Sequence, residues 1–245
     1  MQSANEASLP TGISKPTQGK RIPTGIPGLD KLIEGGLQPG DFVLLAGGVG
    51  AGKTTFSCQF LCNAVKLYGE SAVFATFEED VGSLRRNMSK YGMDLESLER
   101  AHKLKLIDLE ILEGSGMGSN IEAILGALDE IKGKRLVVDS LTAFLSGASE
   151  QFDYAFLMHL IYKTLKREGI TTLMTISKPQ SSFETASGIE EFLADGIFQL
   201  ESFISPQMEM KTRFIVRKLR GTDHSRKYHA VAFTQKGIEI IPFST

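Results

Sequence analysis

The segment Gly47-Gly-Val-Gly-Ala-Gly-Lys-Thr54 constrains this chain more than any other. It satisfies G-x-x-x-x-G-K-[ST] at every fixed position. Glycines let the backbone curl until several N–H groups point inward, where they can cradle phosphate oxygens. Such a loop works only between an entering strand and a departing helix. The flanks supply both. Phe42–Ala46 is an apolar run too short for a helix and bounded by glycines, so it reads as a strand buried on both faces. Lys53 to about Leu67 reads as a helix, which turns its positive N-terminal end toward an anion. Gly47, Gly48, Val49, Gly50, Ala51, Gly52, Lys53, Thr54 and Thr55 are therefore candidate contacts for ATP. Lys53 brings a point charge to the β- and γ-phosphates, and the Thr54 hydroxyl is a hard oxygen ligand for Mg2+.

Further along, Ser71–Phe77, Leu104–Leu109, Leu136–Asp139 and Thr171–Ser177 read as strands, and residues 82–91, 94–101 and 150–168 as helices. On the first of these helices Leu84, Met88 and Tyr91 share a side. A short helix is expected over Pro27–Ile33. Ser119-Asn-Ile-Glu122 has the spacing of a capping box, so a helix is expected to follow it. Strand and helix alternate, which predicts an α/β fold with a mainly parallel twisted sheet flanked by helices. The last third differs. Ile197–Glu201, Thr212–Leu219, Tyr228–Phe233 and Ile238–Ile241 read as strands joined by short turns, a C-terminal antiparallel β extension of the same sheet. Residues 1–19, rich in Ser, Thr, Pro and Gly, read as a flexible N-terminal tail; residues 20–245 form one domain.

Composition excludes several classes. The net charge of −2 leaves no whole-chain basic footprint for nucleic acid. Lys211–Lys227, with seven basic residues and one acid, is the local exception and reads chiefly as solvated and interface charge. Cys58 and Cys62 are the only cysteines; they suggest neither a disulfide framework nor a zinc site, but small packed side chains in a reducing cytoplasm. No apolar run approaches the roughly 20 residues that span a bilayer, so no membrane insertion is expected.

A phosphate loop needs acid partners. Asp139 ends an apolar strand downstream of the loop, where a magnesium-associated carboxylate belongs. Glu78-Glu-Asp80 follows a neighbouring strand and is a candidate general-base site, although acid runs are also common in solvated turns. Lys218 and Arg220, two apart, share a face if extended.

These residues resemble the KaiC-type ATPases of the RecA superfamily. The likeness is carried by Thr24-Gly-Ile-Pro-Gly-Leu-Asp30, Gly35-Gly36, the phosphate loop, Ala72-Val-Phe-Ala-Thr-Phe-Glu-Glu79, Asp139-Ser-Leu-Thr142, Gly188-Ile-Glu-Glu-Phe-Leu-Ala-Asp195, and Lys218-Leu-Arg-Gly-Thr222 with His224. The resemblance implies a RecA-like P-loop NTPase. Glu78 would activate water with Glu79 in support. The chain would form a homo-oligomer, a hexameric ring with ATP at subunit interfaces. Lys218 and Arg220 would reach the neighbouring subunit's γ-phosphate, with His224 a weaker nucleotide contact. The chain carries one such domain where the circadian clock protein fuses two, so neither clock function nor its phosphorylation sites carry over. Val49 stands where many relatives have Pro.

The expectation is thus a slow Mg2+-dependent ATPase (an ATP phosphohydrolase) serving regulation or signalling with an unknown protein partner. Two rivals stay open. One is a non-catalytic ATP-binding switch or assembly component, like the KaiC-related protein of the archaeal motility machinery. The other is a recombinase-like DNA-binding ATPase, which needs basic channel loops; Ser146–Gln151 has no basic residue and Lys178–Thr185 only Lys178. His159, inside the long helix, reads as a packing or interface residue, and His102 and His229 have no constellation around them.

Overall fold

The structure is a computed structural model that describes residues 20–111, 116–146, 151–177 and 189–242. The N-terminal tail lies outside them. In chain order the elements are β1 (Phe42–Gly47), α1 (Lys53–Tyr68), β2 (Ala72–Thr76), α2 (Val81–Ser89), α3 (Leu95–Arg100), β3 (Leu104–Asp108), α4 (Gly116–Glu130), β4 (Arg135–Asp139) and α5 (Leu141–Ser146). They continue with α6 (Gln151–Arg167), β5 (Thr171–Ser177), α7 (Ile189–Leu193), β6 (Gly196–Ile204), β7 (Met210–Leu219), β8 (His229–Thr234) and β9 (Gly237–Ile241). Among the described residues one sheet takes nine strands in the order β3-β2-β4-β5-β1-β6-β7-β8-β9. Pairing is parallel from β3 through β6 and antiparallel from β6 to β9.

The apolar runs form strands because helices cover both sheet faces. Along β1, Val43 and Leu45 join a core with Phe56, Phe60 and Phe198, while Phe42 and Leu44 join a second core with Leu128, Met158 and Leu165. On β4, Val137 faces the first core and Leu136 and Val138 the second. A strand buried on both sides has no polar face, hence unbroken apolar runs rather than alternation. Cys58 and Cys62 are buried free thiols on α1. No helix among the described residues is long and apolar enough to cross a membrane.

Three expectations change. The anticipated helix over Pro27–Ile33 is a single 3-10 turn, Asp30–Leu32. Helix α4 begins at Gly116, so Ser119 lies inside it and is no N-cap. Tyr91 falls past the end of α2, in the turn after Ser89. Two short helices not anticipated are α5, which starts at Leu141, two residues past Asp139, and α7.

Candidate active site

The phosphate loop leaves β1 at Gly47 and enters α1 at Lys53. Gly52, the residue before the helix, has φ +94°, and a Cβ there would lie 2.7 Å from the Phe233 ring. The left-handed backbone favours glycine, and a Cβ would in addition have to push the Phe233 ring of β8 aside. Val49 is 95% exposed on the outer lip, so no packing at this position depends on proline. Thr55, on the first turn of α1, is buried. Lys53 Nζ donates to the loop carbonyls of Gly47 and Gly48 at 3.0 and 3.1 Å.

Strand register brings the acids to this loop. Thr76 on β2 is level with Asp139 on β4, and the Phe77 N–H donates to the Asp139 carbonyl at 2.8 Å. Asp139 is buried, and both carboxylate oxygens are held: Thr54 Oγ1 donates to Oδ2 at 2.7 Å and Thr175 Oγ1, from β5, donates to Oδ1. Burial pushes the Asp139 carboxyl above its ordinary value, and those two hydrogen bonds pull against it. Burial lowers the Lys53 ammonium from its ordinary value, and the charges of Asp139 and Glu78 oppose this. Lys53, Thr54, Asp139 and Glu78 therefore gather at the carboxyl edge of the parallel strands, where open α/β sheets bind ligands.

The acidic triplet divides into three. Asp80 caps α2, its carboxylate accepting from the Ser83 N–H at 2.9 Å. Glu79 accepts from Asn87 Nδ2 at 2.6 Å. Exposed Glu78 accepts from the Ser140 hydroxyl, which is itself fully buried. Ser140, Thr175 and Asn87 were missed by sequence reasoning. Ser140 carries a weak signal, since it adjoins Asp139. The other two depend on which strand and helix lie alongside.

Lys218 and Arg220 sit elsewhere. Lys218 is level with Ile197 on β6, which is level with Leu44 near the start of β1. That puts Lys218 at the amino edge of the sheet, about 10 Å down and about 10 Å across from its own Gly47. A β-bulge decides the direction. Phe198 pairs with Val216 but Ile197 pairs with Lys218, so Arg217 is the extra residue. Uninterrupted alternation would have sent Lys218 to the core side with Phe214 and Val216. The bulge turns Leu219 inward instead and leaves Lys218 half exposed. Lys218 Nζ donates to the Glu191 carbonyl of α7 at 2.8 Å, and Arg220 Nη2 to that of Phe192 at 2.7 Å. His224 shares a surface groove with Lys218, Arg220 and Arg226. Its Nδ1 lies 3.2 Å from the Ser225 carbonyl oxygen. His159 and His102 are exposed, and buried His229 has Nε2 2.7 Å from the Ser225 hydroxyl. Residues 147–150 and 178–188, the loops a DNA-binding reading would need, lie outside the described residues.

A glycine-curled loop, a helix N-terminus and an aspartate at the carboxyl end of a central strand of a mainly parallel sheet mark a P-loop nucleotide-binding domain of RecA-like fold. A KaiC ATPase family model matches residues 22–245. The chain is 34% identical over 243 residues to the circadian clock protein KaiC3 of Synechocystis, covering 95% of this chain and 48% of that one. It is 31% identical to the circadian clock oscillator protein KaiC of Synechococcus elongatus, covering 97% of this chain and 47% of that one. A KaiC-like protein from Pyrococcus horikoshii superposes with a TM-score of 0.82 at 35% identity, covering 91% of this chain and 99% of that one. The chain belongs to the KaiC ATPase family. It spans about half the length of the curated relatives it matches.

Proposed function

We propose that this chain binds ATP with Mg2+ and hydrolyses it slowly as a homo-oligomer, a hexameric ring in the cytoplasm, in the service of regulation or signalling. One observation carries the reading. The donors and acids for one side of a triphosphate meet at the carboxyl edge of the sheet, while Lys218 and Arg220 lie at the opposite edge, out of reach of their own phosphate loop. A single copy holds half a site at each edge, and head-to-tail assembly completes both.

In this reading Gly47–Thr54 cradles the phosphates, and Lys53 leaves its loop carbonyls for the β- and γ-oxygens. The donor set of a hydroxyl and a carboxylate oxygen 2.7 Å apart suits a hard divalent cation. Thr54 and Asp139 would hold Mg2+, which when bound draws charge from the β- and γ-phosphates. Glu78 orients water and takes its proton, and the Ser140 hydroxyl fixes the carboxylate's direction. Lys218 and Arg220 from the neighbour offset charge that grows on the γ-phosphate in the transition state.

The test is Glu78→Gln in protein assembled with ATP and Mg2+. Single-turnover γ-phosphate release should slow at least about 100-fold, with ATP affinity within about twofold of the parent. A parent that assembles with ATP and Mg2+ but releases no phosphate would make the chain a non-catalytic ATP switch.

A further inference from the structure

We propose that Asp195 is a positioning residue for the two cations offered to the neighbouring nucleotide. The inference rests on the reading that Lys218 and Arg220 act in trans. Asp195 stands just before β6 and is 4% exposed. Its main chain is clamped at both ends: its N–H donates to the Phe42 carbonyl, and its carbonyl accepts from the Arg220 N–H, each at 2.8 Å. Its carboxylate repeats the pattern. Oδ2 accepts from the Phe42 N–H at 3.1 Å and from Lys166 Nζ at 2.6 Å. Oδ1 lies 4.0 Å from Arg220 Nη1 and accepts from the Tyr162 hydroxyl at 3.4 Å. One buried anion therefore ties the root of β1 and the last turn of α6 to the arginine.

The charge of Asp195 is shared between Lys166 at 2.6 Å and Arg220 at 4.0 Å, beyond its duty as a cap. Capping the Phe42 N–H needs one acceptor oxygen, which asparagine has. The negative charge has a different use. Lys218 and Arg220 emerge on the same side after the bulge and repel each other, and no neighbour's phosphate is present to offset this in a single copy. The Asp195 carboxylate behind Arg220 and the α7 carbonyls beside both cations supply the opposing field. The second buried carboxylate here, Asp41, is spent locally on the Gln38 N–H at 2.7 Å. The rest of the loop is pinned from the N-terminal segment, where Arg21 Nη1 donates to the Thr222 hydroxyl at 2.6 Å and the Ser225 N–H donates to the Leu32 carbonyl at 2.9 Å. The Arg220 guanidinium is held from two sides, by the Phe192 carbonyl at 2.7 Å and by the Asp195 charge at 4.0 Å, and Asp195 supplies the charged half of that hold.

The experiment is a double-mutant cycle of Asp195→Asn and Arg220→Ala, read as turnover of the assembled protein with saturating ATP and Mg2+. Arg220→Ala should lose at least about 100-fold in kcat. Asp195→Asn should lose about 10-fold in kcat, with KM and ATP affinity within about twofold of the parent. The double variant should match Arg220→Ala, because an aimed residue that is absent cannot be misaimed. An Asp195→Asn loss of equal size in both backgrounds, or a lowered Tm with unchanged kcat, overturns the assignment and leaves Asp195 a structural cap. Arg220→Ala turning over at the parental rate overturns the trans reading itself. Should Asp195→Asn fail to assemble, Asp195→Glu keeps the charge on a longer arm, and its loss must likewise vanish without Arg220.

Discussion

At the opposite end of β4 from Asp139, Arg135 is wholly buried at the strand's start. Its Nε donates to Glu70 at 2.6 Å, and its guanidinium carbon lies 4.7 Å from the Phe60 ring centroid and 5.5 Å from that of Tyr68. Among the described residues Nη1 and Nη2 have no hydrogen-bond partner. Burial lowers the Arg135 pKa from its ordinary value, chiefly against the attraction of Glu70. Glu70→Gln strips the charge that makes this burial tolerable. Breaking a buried pair in this way costs about 3–5 kcal/mol. Glu70 is 24% exposed, so the lower end, about 3 kcal/mol, applies. For a chain of this length that lowers Tm by roughly 6–12 °C. Arg135→Met removes the cation and its unmet donors together and fills the space between the rings. It should stay within about 1 kcal/mol of the parent, and Glu70→Gln should then cost almost nothing. Urea unfolding followed by far-UV circular dichroism measures all four proteins. Arg135→Met losing as much as Glu70→Gln would refute the reasoning, because the pair would then be a net source of stability.

Gly52→Ala should cost about 1–2 kcal/mol from the left-handed backbone alone, and more as the ring of Phe233 is displaced from 2.7 Å; denaturant unfolding together with a fluorescent ATP analogue titration should show lower stability and weaker binding. The Asp41 carboxyl is pushed up to about 6, first by burial and then by the neighbouring Asp195 charge, against the Gln38 N–H. Because its folded-state value is raised, its contribution is fully present below the unfolded value of 3.8 and is lost as pH rises through about 6. Asp41→Asn should therefore flatten the stability curve between about pH 4 and pH 7, by about 2 kcal/mol after allowance for solvent screening; an unchanged slope in urea melts across that window would contradict it.

Much of the site could be read along the chain because its signals are local. The phosphate loop, its strand and its helix occupy one contiguous stretch, and apolar runs mark the strands buried on both faces. The acidic triplet was ambiguous for the opposite reason. Glu78, Glu79 and Asp80 are neighbours in sequence, but their partners come from two separate elements: Ser140 after β4 for Glu78, and α2 for the other two, through the Asn87 side chain and the N–H of Ser83. The capping-box pattern at Ser119 misled because helix α4 starts a turn earlier, so a local motif lost to its context.

The sequence by itself determined a phosphate-type loop, the α/β alternation, antiparallel strands in the last third and the candidate acids, since each follows from residue types at short range; that the first of those strands, β6, also pairs parallel with β1 was not legible. Only the tertiary structure decided where the charges stand. β4 and β5 lie between β2 and β1, which brings Thr175 to Asp139. A single extra residue, Arg217, turns Lys218 off the core face, and Asp195 is buried behind Arg220. Strand order, register and a bulge are set by packing between segments far apart in the chain, and no local spacing encodes them.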